Sequence, residues 1–244
     1  MVALDIWELA LLPSLLNNAG TWTEMSKDTE SDLEELQLFF VRLILRVPQS
    51  TLKVTLRSET GLQSMKHRVE KQKVMLVHHL KNLDARTLAR QVYDQQKENS
   101  WPGLVLECQN ICKRLGLEDV NNTECTQREY KKMLDAACRR EDEIKMRKEM
   151  EGKTKAKDIL TESLSLKDYM KGKSLCQIRE WFRIRTNMNG MKANFKHDQR
   201  RGEENFLCVA CGLEDEINSH VMVCREYEDL RRDRDLGSSD DLVK

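Results

Sequence analysis

Apolar residues recur three and four positions apart along most of this chain, and that spacing favours helices over any sheet. Leu33, Leu36, Phe40, Leu43 and Val47 form one such stripe, with Ser31/Asp32 as its expected cap and Pro48 as its stop. Leu62, Met65, Val69, Leu76 and Leu80 form a second, expected to open near Gly61. Ser100-Trp101-Pro102 starts a third, whose stripe of Leu104, Cys108, Ile111, Cys112 and Leu115 ends at Gly116. Thr126 and Glu129 make a capping box at the head of a fourth. Leu175, Ile178, Trp181 and Phe182 mark a fifth. With only 3 Pro and 10 Gly in 244 residues, the chain has few residues for tight turns, which again favours long helices. The expected fold is mainly α, a bundle-like helical region followed by one small module of a different kind.

That module is written in four residues. Cys208 and Cys211 are three apart, so both sulfurs can reach one ion at about 2.3 Å from a tight knuckle. His220 and Cys224 are four apart, which on a helix puts imidazole and thiolate on one face. Gly212 stands where such a knuckle needs left-handed backbone. Three cysteines and one histidine close a tetrahedron with no position left for a water, so the expected cofactor is a structural Zn in a hairpin-then-helix arrangement. The other cysteines, Cys108, Cys112, Cys125, Cys138 and Cys176, read as reduced thiols in an intracellular protein. Cys108 and Cys112 read as core.

Charge sorts the remaining stretches. The 41 basic residues balance 41 acidic ones, so only a local excess could attract a polyanion. Between Lys173 and Arg201 there is one: Lys173, Arg179, Arg183, Arg185, Lys192, Lys196, Arg200 and Arg201 oppose Glu180 and Asp198, a net +6. Trp181, Phe182 and Phe195 are interleaved with them. Rings beside guanidinium groups suit RNA or single-stranded DNA, with Arg179, Trp181, Arg183, Arg185, Lys192, Lys196, Arg200 and Arg201 as the contacting set. The same pattern also fits core aromatics beneath a solvated charged face, and a helical module for protein partners. The loop between the ligand pairs carries Glu214, Asp215 and Glu216, which would repel phosphate.

Thirteen of the nineteen residues from Arg139 to Lys157 are charged, which reads as a solvated helix with Gly152 as its weak point. The expected organisation is a helical region over 1–138, a charged helical linker over 139–172, the basic segment over 173–201, the Cys₃His module over 202–232 and a disordered tail over 233–244. The apolar start carries Asp5 and Glu8 and is broken by Pro13, a poor signal peptide and too short a membrane span. A nuclear or cytoplasmic protein without a membrane partner is expected. Asn121-Asn122-Thr123 fits a glycosylation acceptor by chance. Asp240-Asp241 lie in a Ser/Asp-rich tail with no apolar strand around them, so no paired-carboxylate polymerase site is read here. His78 and His79 read as packing and surface residues, and no enzyme activity is expected.

Several blocks, taken in order, resemble one family. Leu12-Pro13-Ser14-Leu15-Leu16-Asn17-Asn18-Ala19-Gly20-Thr21-Trp22 looks like the segment after the catalytic core of LINE-type (non-LTR) retrotransposon reverse transcriptases. Leu33-Glu34-Glu35-Leu36-Gln37, Val47-Pro48-Gln49-Ser50-Thr51 and Glu59-Thr60-Gly61 follow in the family's order. So do Met65 through His79, Trp101-Pro102-Gly103-Leu104, and the basic segment before the Cys-Cys-His-Cys motif. Asn17, Gly20 and Val209-Ala210 depart from the family's pattern, as in a divergent or decayed copy. The resemblance implies a non-catalytic C-terminal remnant, a helical thumb and connector followed by a zinc knuckle, with a role in nucleic-acid binding. A protein-interaction module, or a translated fragment without function, are the other readings.

Overall fold

The computed structural model describes residues 2–22, 25–151, 164–186 and 206–229. It divides into two compact units, residues 1–173 and 174–244. The first is built from α1 (Val2–Ile6), α2 (Leu12–Leu15), α3 (Lys27–Leu45), α4 (Lys53–Thr60), α5 (Met65–Lys81), α6 (Leu88–Asn99), α7 (Leu104–Leu115) and α8 (Gln127–Glu151). A π-helical turn, Trp7–Leu11, joins α1 to α2. The second unit holds α9 (Leu175–Arg185) and α10 (Asn218–Val223). Among the described residues the only β pairing is a single antiparallel bridge, Leu207 with Asp215. The protein is mainly helical, as the periodicity predicts.

Helix α5 is the axis of the first unit, packing against α3, α6, α7 and α8. Its Val74 and Val77 meet Tyr93 of α6, Cys108 and Ile111 of α7, and Tyr130 and Leu134 of α8 in one buried cluster. Full burial of an aliphatic or aromatic side chain there contributes about 1.5–3 kcal/mol. Cys108 and Cys112 are core residues, and Cys112 Sγ lies 3.2 Å from the Tyr130 hydroxyl. His78 is buried and stacks on Tyr130, while His79 faces solvent. Asn121 of the apparent glycosylation triplet is buried and accepts a hydrogen bond from Tyr93 Oη at 2.8 Å.

Local signals placed some boundaries and missed others. The Thr126–Glu129 box is formed, with Thr126 N donating to Glu129 Oε2 at 3.0 Å and Glu129 N to Thr126 Oγ1 at 3.3 Å. Gly116 closes α7 in the left-handed region. Helix α3, however, starts a turn and more before Ser31: its cap is Ser26, whose Oγ accepts from Thr29 N. The first turn carries Lys27, Asp28 and Glu30 and no apolar residue, so the stripe is silent there. Gly61 does not open α5 but closes α4 at φ 68°, and the cap of α5 is Ser64. A Cβ at Gly61 would also lie 2.5 Å from the backbone of Ser165 and Leu166, so glycine lets the returning chain approach. Residues of that return are held by Lys167 N donating to Glu59 O at 3.3 Å and Tyr169 Oη to Glu59 Oε2 at 2.7 Å.

The charged stretch of α8 is not solvated all round. Asp142, Met146 and Met150 are buried, and both methionines pack with Val54 and Leu164. Asp142 is a hub: it accepts from Arg57 Nη2 and Ser64 N, each at 3.0 Å, and His67 Nδ1 lies 3.0 Å away. Burial would raise its pKa, but His67, Arg57 and the Ser64 amide together hold it down to about 2. Gly152 and the rest of 152–163 lie outside the described residues. No helix among the described residues is long and apolar enough to cross a membrane.

Candidate metal centre and basic helix

The knuckle is folded by its own backbone. Leu207 and Asp215 pair, Cys208 N donates to Glu214 O at 2.7 Å, and Glu216 N donates to Phe206 O at 2.8 Å. Between them Gly212 N reaches Cys208 O at 2.9 Å, with Gly212 at φ 64° as the spacing requires. The chain then enters α10, a six-residue helix that carries His220 and delivers Cys224 at its C-cap. Cys224 N donates to His220 O at 2.7 Å, which fixes the offset of the second ligand pair.

Cys208 Sγ, Cys211 Sγ, Cys224 Sγ and one His220 nitrogen all lie within 4.8 Å of one another. Ligands at about 2.3 Å from a shared ion in a tetrahedron stand roughly 3.8 Å apart, so a small contraction brings the four into a coordination shell. The nitrogen facing the sulfurs is Nε2, 3.2 Å from Cys211 Sγ. The other ring nitrogen, Nδ1, lies 2.9 Å from Glu214 Oε2. A carboxylate on the far nitrogen fixes the tautomer that turns Nε2 toward a metal and raises its basicity. Cys208, Cys224 and His220 are all buried. This Cys₃His group could hold a metal ion, and it is the one such group among the described residues.

The electrostatics favour thiolates. Backbone N–H groups, first that of Cys211 and then that of Ala210, draw the Cys208 thiol down to about 6. Cys211 is likewise lowered, chiefly by the Leu213 N–H. Burial raises Cys224, which ionises last. Burial would lower His220, but its contacts with Cys208, Cys211 and Glu214 outweigh that and raise it. A metal ion would replace the proton shared between Nε2 and the sulfurs, so loading releases protons.

No family model, curated protein or solved structure matches this chain.

Helix α9 begins on a full capping box, Ser174 N donating to Gln177 Oε1 at 3.1 Å and Gln177 N to Ser174 Oγ at 3.4 Å. Its Ile178 and Phe182 are buried, so Phe182 is core and offers no stacking face. Trp181, Arg179 and Arg183 are half-buried and Arg185 is exposed. Arg183 pairs with Glu180 at 2.9 Å, one turn back. Thus α9 gathers Arg179, Trp181, Arg183 and Arg185 on eleven residues of one helix. Lys192, Phe195, Lys196, Arg200 and Arg201 lie outside the described residues. Sequence reasoning singled out the four residues that converge and the basic helix but missed Glu214 as the histidine's partner. A carboxylate six residues before His220 is the signal in the sequence that marks it.

Proposed function

We propose that the chain is a zinc-organised, non-catalytic module that binds RNA or single-stranded DNA through α9 and the basic residues that follow it. The observation that carries the reading is the convergence of Cys208, Cys211, His220 and Cys224, with Glu214 on the histidine's far nitrogen, in the same compact unit as α9. Three thiolates and one imidazole in a tetrahedral shell suit zinc, and four protein ligands leave the ion a structural role. Zinc would tie the knuckle to α10. Phosphates would meet Arg179, Arg183 and Arg185, and a base could lie against the half-buried Trp181 ring. The ordered sequence blocks support an origin as the C-terminal part of a LINE-type reverse transcriptase.

Fluorescence anisotropy with labelled single strands of RNA and DNA tests this at two salt concentrations. Each phosphate contact contributes about −0.7 to the slope of log affinity against log salt on a single strand. The double change Arg183→Ala, Arg185→Ala should weaken binding and flatten that slope by roughly 1.4. Trp181→Ala should weaken binding and leave the slope unchanged. No binding at low salt, or binding indifferent to the double arginine change, would instead favour a protein-interaction module. The exposed α3 stripe of Leu36, Phe39 and Leu43 fits that second reading.

A further inference from the structure

A cavity of about 600 Å³ opens in the helical unit between α2, α5 and the start of α8. Its volume is within the range of small-molecule sites. The floor is aliphatic, made by Leu12, Leu16, Met75 and Leu134. The walls carry Arg68, Lys71, Arg128 and Lys131, and among the described residues no aspartate or glutamate lines the cavity. Two of these cations are already neutralised from outside the lining. Arg68 donates to Glu8 Oε2 at 2.9 Å, and Lys71 donates to Asp135 Oδ1 and Gln63 Oε1 at 2.6 Å each. Arg128 and Lys131, on the exposed first turns of α8, leave an excess positive charge over an apolar floor.

That juxtaposition selects a ligand by chemistry. An apolar cavity rewards a body that gives up its water, and a cationic rim rewards a negative head placed beside it. Among the described residues no aromatic side chain lines the cavity, so none of them offers a nucleobase a ring to stack on. We infer that this cavity is a binding site for a single-chain amphiphilic anion, its alkyl body on Leu12, Leu16, Met75 and Leu134 and its carboxylate or phosphate head on Arg128 and Lys131. The described residues around this cavity all belong to the first unit.

Calorimetric titration of the full chain with laurate, dodecyl phosphate, dodecanol and inorganic phosphate, each below its micelle concentration, tests the inference. Laurate or dodecyl phosphate should bind saturably at one per chain, the tighter of the two identifying the head. Dodecanol should bind at least about tenfold more weakly for want of charge-assisted bonds, and inorganic phosphate should not bind. The double change Arg128→Ala, Lys131→Ala alters exposed side chains and should cost about tenfold or more for the anionic ligands alone. Met75→Trp should fill the floor and abolish binding, with helix content checked by circular dichroism. If that variant does not fold, the charge pair decides. Absence of saturable binding by either anion, equal binding of dodecanol, or indifference to the double change would overturn the site.

Discussion

Asp142→Ala removes a carboxylate whose side chain is 1% exposed and which serves three groups at once. The Ser64 amide would lose its acceptor at the head of α5, and His67 would lose a partner 3.0 Å away. Arg57, whose side chain is 12% exposed, would keep, among the described residues, the more distant Glu34 at 3.4 Å. Breaking a buried pair from one side strands the partner and costs about 3–5 kcal/mol. The pH dependence gives a second handle. The folded-state pKa is lowered from 3.8 to about 2, so ionised Asp142 stabilises the fold fully above about pH 4. That contribution is lost as pH falls toward 2, and the shift corresponds to about 2 kcal/mol. The rest of the loss reflects hydrogen bonds that a protonated carboxyl would still make. Urea denaturation followed by far-UV circular dichroism, from neutral pH down to about 2, measures both quantities. Wild type minus variant should be largest at neutral pH and shrink by about 2 kcal/mol on acidification. A variant that loses under about 1 kcal/mol and parallels the wild type with pH would refute the hub.

Three further outcomes are expected. Glu214→Ala should weaken metal affinity about 10- to 100-fold in a chelator competition, while Glu214→Gln, which keeps an acceptor, should lie closer to wild type. Alkylation followed by peptide mass spectrometry should label exposed Cys176 first and leave buried Cys108 and Cys138 unmodified in the folded chain. Burial pushes the Cys138 thiol up to about 12 and Cys108 higher, so both resist forming the reactive thiolate until the unit opens. The double arginine change in α9 should leave helix content unchanged while reducing the salt dependence of any single-strand binding.

Periodicity made the helices of the first unit legible where an apolar face meets α5. Helix α7 carried both its stripe and its end signals, while α8 carried only the capping box at its head. Helices α4 and α6 were not legible. In α4 the buried positions include Thr55, Ser58, Glu59 and Thr60: Ser58 and Thr60 donate to carbonyls one turn back and Glu59 accepts from Tyr169, polar burial that a hydropathy pattern cannot register. In α6 only Tyr93 is buried. The Asp142 hub was hidden because its partners Arg57, Ser64 and His67, close together in the chain, lie far from Asp142 in sequence. The Cys₃His cluster was legible because the spacing of its residues is a local property of knuckle and helix. Glu214 was legible in principle, but choosing it over Asp215 and Glu216 required the knuckle's geometry.

Elemental analysis of the purified chain tests the central claim most directly. About one zinc per chain is predicted, falling to near zero when Cys208 and Cys211 are both replaced by Ser. Zinc retained at full level in that double variant, or no zinc in the wild-type chain, would contradict the account.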